Sequence, residues 1–321
     1  MRTLGHMVLL LGVLLIRVEP AEANCPETPL LAEPTFQEDV RPAIDDLYNR
    51  QPASGVHQLE SWMTRCPNHP IWDLWDAMVL WWEVLEDLDR KSLDNELVNQ
   101  LELANRRGSA WVVKNPDSPD GWFVQALANG LLARLHANRG RWVRSVWVAR
   151  DARRASESLE QRLPGLADHQ LSRGLTLYYS AWLPDHYKVL RPFRWMMPEG
   201  DREQGLKRLA SARKNALFVR AEATYFTGLI LLRYEGQPDK ALVQFRDLAS
   251  SYPGNKFYER ILIQALLETA QSAERNAELF RARKLYREVV DRSEDSRIRE
   301  QTREVQLVAI RALERIGADI P

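Results

Sequence analysis

Proline placement constrains this chain more than any other feature. Three segments share one pattern: Pro67-Asn68-His69-Pro70-Ile71-Trp72, Pro116-Asp117-Ser118-Pro119-Asp120-Gly121-Trp122 and Pro253-Gly254-Asn255-Lys256-Phe257-Tyr258. In each, a proline cannot continue the helix before it, and an aromatic follows on the next helix five or six residues later. Between such breaks the apolar residues keep helical spacing. Ile298, Val305, Ala309, Ala312 and Ile316 lie on one helical stripe, as do Val219, Ala223, Phe226 and Ile230. Strand-like alternation is absent. Glycine, at 15 of 321 residues, is below the usual share of about 7%, which argues against folds built on Gly-rich phosphate loops and tight hairpins. The expected fold is all-α, an α-α superhelix of about six helix pairs plus a C-terminal capping helix over 296–316. The first helices of successive pairs should start near residues 36, 70, 119, 166, 217, 255 and 296. A lone pair cannot bury its apolar face, so neighbours must stack into one continuous core.

Residues 219–253 resemble a tetratricopeptide repeat (TPR). Gly228 sits in the first helix, Gly236 makes the turn, Ala241 and Phe245 pack in the second helix, and Pro253 ends the unit. Gly228 is one residue out of the family register. The stretch Leu183 to Ala210 is similar to a segment of divergent TPR proteins: Leu183-Pro184, an aromatic-basic run, then Gly200-Asp201-Arg202-Glu203 and Gly205-Leu206. The resemblance extends over 36–316 and implies a scaffold that binds peptides or proteins in a concave groove, with no chemistry of its own. Asp201 and Gln204 fit a capping box, which makes this stretch a helix start and not a carboxylate site.

The N-terminus reads as an address. Arg2 and His6 precede the apolar run Met7 to Ile16, Pro20 breaks it, and Ala21-Glu22-Ala23 offers a cleavage pattern. Ten apolar residues are too few to span a bilayer. The expected organisation is a signal peptide over 1–23, a Pro-rich arm over 24–35, the helical repeat domain over 36–316 and a tail over 317–321, with a periplasmic or otherwise exported product. The chain has no N-x-[ST] sequon. Its two cysteines, Cys25 and Cys66, suit a disulfide in an oxidising compartment, which would stabilise by about 4 kcal/mol. Two unpaired thiols, or a lipidated Cys25, are the alternatives.

Eleven tryptophans are many for this length. On the helix after Pro70, Trp72, Trp75 and Trp82 share roughly one face and Trp81 points away. With Trp122, Tyr187 and Trp195 they are candidates to line a partner groove, and core packing between thin helical layers is the competing reading. The chain is neutral overall, with 44 basic and 44 acidic residues, yet residues 24–104 carry a net charge of −11 and residues 105–214 of +10. Arg139, Arg141, Arg144, Arg153 and Arg154 are therefore candidates to bind an anionic partner, and the layout also permits head-to-tail self-association. Nucleic acid is a poor fit, since no recognition motif for it occurs. The mixed segment His186 to Met197 either touches a partner or folds back on the core.

Catalytic and metal motifs are missing: there is no H-E-x-x-H, no G-x-S-x-G and no Walker loop, and no cofactor is called for. Glu60-Ser61 and Glu157-Ser158 look like the Glu-Ser pair of lytic transglycosylases, without the motif that flanks it there. The expectation is a non-catalytic protein- or peptide-binding scaffold of the cell envelope that assists an envelope complex. A solute-handling subunit of a periplasmic transporter is the first alternative, and a peptidoglycan-cleaving enzyme the second.

Overall fold

The structure, a computed structural model, describes residues 25–186, 198–295 and 297–317. The expected signal peptide, Tyr187, Trp195 and residues 318–321 lie outside them. Among the described residues there are thirteen α-helices, a short 3-10 turn at Leu30–Ala32 and no strand. The helices form consecutive antiparallel pairs. These are α1 (Pro34–Tyr48) with α2 (Pro52–Arg65), α3 (Ile71–Glu86) with α4 (Asp94–Lys114), and α5 (Asp120–Asn138) with α6 (Trp142–Arg162). Next come α7 (His169–His186) with α8 (Arg202–Asn215), α9 (Arg220–Arg233) with α10 (Pro238–Ser251), and α11 (Lys256–Arg275) with α12 (Leu279–Ser293). Helix α13 (Arg299–Arg315) caps the stack. Successive helices pack on one another along the chain, with α2 and α3 the loosest neighbours, as in an α-α superhelix.

Two kinds of turn recur along the chain. Within four of the six pairs the backbone reverses through a left-handed residue: Arg50, Gly140, Gly236 and Ala277 have φ of 65°, 70°, 60° and 61°. The following N–H reaches back over a full turn, as from Arg141 to the His136 carbonyl at 2.8 Å and from Glu278 to the Ala273 carbonyl at 2.9 Å, which closes the helix end. At four of the six junctions that follow a pair the turn is X-Pro. Cys66, Asn115, Leu163 and Tyr252 each end a helix with ψ between 57° and 69° and precede a proline, which excludes the helical conformation at that residue. At α8 half of the expected capping box is present: the Asp201 carboxylate accepts from the Gln204 N–H at 2.9 Å, while the Asp201 N–H donates to the Leu177 carbonyl at 3.0 Å.

The stack does not end in two remote ends, because its first helices meet its later ones. The Tyr48 hydroxyl donates to the Phe218 carbonyl at 2.7 Å, Asn255 Nδ2 donates to the Tyr48 carbonyl at 2.7 Å, and the Gly254 N–H donates to Asn49 Oδ1 at 2.8 Å. Arg220 pairs with Asp45 at 2.6 Å, and Arg260 donates to the Leu85 carbonyl at 2.7 Å. Trp82 lies edge-on to Tyr48, Phe257 and Tyr258, and Phe123 packs on Phe218. The main apolar core therefore runs from Leu30 to Leu313, with a second, smaller cluster of Tyr178, Trp182, Leu209 and Ile230 on α7–α9.

This closure corrects the expectation of an open aromatic groove. Helix α3 is enclosed by neighbours, so Trp75, Trp81 and Trp82 are all buried, and Trp81 does not point away. Cys25 and Cys66 form a disulfide with Cα atoms 4.8 Å apart. It ties the N-terminal arm to the end of α2, and Leu30 and Leu31 are then held by their N–H groups on the Asp120 carboxylate at 2.9 and 3.1 Å.

Candidate binding cleft

A cleft of about 450 Å³ opens between α2 and α4, with α3 as its floor. Pro52, Ala53 and Val56 form one wall, Glu96 and Gln100 the other, and Trp75, Val79 and Leu80 the apolar floor, with Asp76 and Glu83 beside them. Local rules place each part. Pro52 occupies the first turn of α2, where a missing N–H costs nothing. Gly55 lets α2 lie directly on α3, since a Cβ there would come within 2.7 Å of the Trp75 ring and 2.8 Å of the Ala43 carbonyl oxygen. The start of α4 is held by Arg139, whose guanidinium grips Asp94 with bonds of 2.7 and 2.8 Å and also donates to the Leu88 carbonyl. Arg107 donates through Nη1 to both Asp73 carboxylate oxygens at 2.8 and 2.9 Å.

The cleft is acidic. Among the described residues, Asp76, Glu83 and Glu96 make no ion pair, whereas Asp73 and Asp94 are engaged. Partial burial, then the neighbouring Asp73 carboxylate, push the Asp76 carboxyl above its ordinary range. The Trp75 indole N–H is buried without an acceptor. An apolar floor with unpaired carboxylates above it suits a segment that is apolar and positively charged.

Among the described groove candidates, Trp75 alone lines this cleft. Trp82 is enclosed by Tyr48, Phe257 and Tyr258. Trp72 donates its indole N–H to the Cys66 carbonyl at 2.7 Å, and Trp122 lies under the Arg162 guanidinium at 5.1 Å. The expected anion-binding arginines also separate. Arg139 is an internal clamp, its side chain 6% exposed, and is withdrawn from that set. Arg153 pairs with Glu157, and Arg154 lies 3.8 Å from Asp151. Arg141 and Arg144 are exposed and unpaired.

Sequence reasoning overlooked the outer face of α6. Trp142, Val143, Val146 and Trp147 are exposed there, opposite the buried Ala152, Ala155, Ser156 and Leu159. The signal was readable: this helix carries apolar residues on two faces, and the face with the small ones is the one that packs.

Among the carboxylates, Glu60 is exposed and 3.5 Å from His57, and Glu157 is exposed beside Arg153. The deeply buried carboxylates are structural. Asp168 accepts the N–H groups of Leu217, Phe218 and Val219 at 2.9, 2.8 and 3.1 Å. Burial raises its carboxyl, and those three donors oppose the rise. Among the described residues, no group of three His, Cys, Asp or Glu side chains is placed to hold a metal ion. A comparison with protein-family models finds none that matches this chain, and a comparison with curated proteins finds no significant relative.

Proposed function

We propose that this protein is a non-catalytic, TPR-like scaffold that holds an apolar, basic protein segment in the α2–α3–α4 cleft. The observation behind this reading is the combination of Trp75, Val79 and Leu80 with three unpaired carboxylates, Asp76, Glu83 and Glu96. A cation placed there gains charge pairing with the carboxylates, of which Asp76 and Glu96 are exposed and Glu83 half-buried, and the floor takes up apolar side chains. The family resemblance is supported at Gly228, where a Cβ would come within 2.7 Å of the Phe245 ring, so a small residue is needed for the helices to approach. The work is done outside the cytoplasm, in the cell envelope. The Cys25–Cys66 disulfide supports that location, since such bonds persist in oxidising compartments.

A peptide array tests the reading. Peptides that combine Arg or Lys with Trp, Leu or Phe should bind, and matched peptides with Glu in place of the basic residue should not. Joint Glu83→Lys and Glu96→Lys substitution should weaken binding at least about tenfold, and added salt should weaken it further. Equal capture of acidic and basic peptides would overturn the proposal.

A further inference from the structure

The α6 face and the cleft are complementary halves on one molecule. Trp142, Val143, Val146 and Trp147 expose 67%, 75%, 68% and 51% of their surface. A contiguous apolar patch of this kind marks a docking site. Its charge is positive: Arg141 and Arg144 flank it unpaired, Arg150 lies over the Trp147 ring at 4.7 Å, and no acidic residue occurs from 121 to 150. Beneath it His136 is buried, its ring kept below its usual pKa by burial, then by Arg144 and Arg141. The cleft offers what this patch lacks, an apolar floor and three unpaired carboxylates.

We propose that α6 of one copy docks into the α2–α3–α4 cleft of a second copy of the same chain. The inference rests on the cleft being an acceptor for an apolar, basic segment, and it names that segment. Trp142 and Trp147 supply the apolar knob, and Arg141, Arg144 and Arg150 meet Asp76, Glu83 and Glu96. Helices α2, α4 and α6 are alternate members of the antiparallel stack, so their starts lie along one edge, together with the C-terminal half of α3; the cleft and the first half of α6 both sit at that edge. A two-fold axis lets each copy insert α6 into the other, which closes the assembly at a dimer. A chain with no net charge sets no long-range repulsion against this approach. An anionic membrane would satisfy the α6 face but leave the cleft carboxylates unanswered, so a second copy accounts for more of the surface.

Sedimentation of the purified protein over a range of concentrations tests this, together with cysteine cross-linking. The wild type should dimerise, less so in high salt. Trp142→Ser with Trp147→Ser, and separately Glu83→Lys with Glu96→Lys, should each weaken association at least about tenfold while keeping the helical circular dichroism. An equimolar mixture of Val143→Cys and Val79→Cys should form an intermolecular disulfide that neither variant forms alone. A wild type that stays monomeric, or cross-linking no greater in the mixture than in the separate variants, would overturn the proposal. So would a monomer that sediments with phosphatidylglycerol vesicles through Trp142 and Trp147, which would assign the face to lipid. The Trp double variant should still bind basic peptides. A monomeric wild type that binds them overturns the dimer and leaves the cleft reading intact, whereas a cross-linked dimer that binds none overturns the general peptide reading alone.

Discussion

Glu222 shows how one side chain records the closure of the whole curve. It lies on α9 beside Tyr48 of α1, and burial pushes its carboxyl up to about 8. The Tyr48 hydroxyl reaches both the Phe218 carbonyl, at 2.7 Å, and the Glu222 carboxyl. The folded state thus holds this proton more tightly than the unfolded chain, whose glutamates titrate near the ordinary value of 4.5. The stabilisation is complete below that ordinary value and is lost as pH rises through about 8. Urea unfolding should therefore show the wild type losing about 1–3 kcal/mol relative to Glu222→Gln between about pH 5 and about pH 9. Asp168 makes a second prediction at this scale. Asp168→Ala leaves three buried backbone donors without their acceptor and should cost about 2–4 kcal/mol of unfolding free energy.

At the scale of elements, the starts of the helices were legible. The expected first helices near 36, 70, 119, 166, 217, 255 and 296 are observed from 34, 71, 120, 169, 220, 256 and 299. Several of these boundaries are local, set by X-Pro geometry or a capping side chain, so sequence neighbours suffice to reveal them, whereas the entry to α9 is held by Asp168 about 50 residues back. The role of an exposed-looking charge was not legible. Arg139 follows Asn138 at the end of α5 and looks like its neighbours Arg141 and Arg144, yet it reaches 45 residues back to Asp94. Arg139→Ala should cost about 2–4 kcal/mol, because a buried carboxylate loses its partner, while Arg144→Ala should stay within about 0.5 kcal/mol in the same thermal or urea unfolding measurement. The contact between α4 and α5 is as close as its glycines allow. A Cβ on Gly121 would come within 2.6 Å of the Gly108 carbonyl oxygen, so Gly121→Val should lower stability by about 1–3 kcal/mol.

For the whole molecule, closure changes how the array should come apart. An open solenoid unfolds from its ends, since each repeat touches only its neighbours. Here the Asn255 side chain caps α11 through the Phe257 and Tyr258 N–H groups and also holds the Tyr48 carbonyl, so the N-terminal pair is tied to the fifth and sixth. Asn255→Ala should raise amide hydrogen exchange in α1 and α11 together, with little change in α6 and α7; a rise confined to α11 would show that the closure contributes nothing to stability.

The sequence by itself determined an all-helical chain, the order and starts of its helix pairs, and a cysteine pair of the right kind to bridge. These follow from proline, capping and periodicity, which act over a few residues. Only the tertiary structure decided that the curve closes on its first helix, that Trp75 and Trp82 belong to the core, and that the cleft carboxylates and the α6 tryptophans remain unanswered. Those facts depend on contacts such as Tyr48 with Phe218, 170 residues apart. Helical spacing shows which residues share a face, but which face meets a neighbour is settled only when distant helices compete for the same apolar surface.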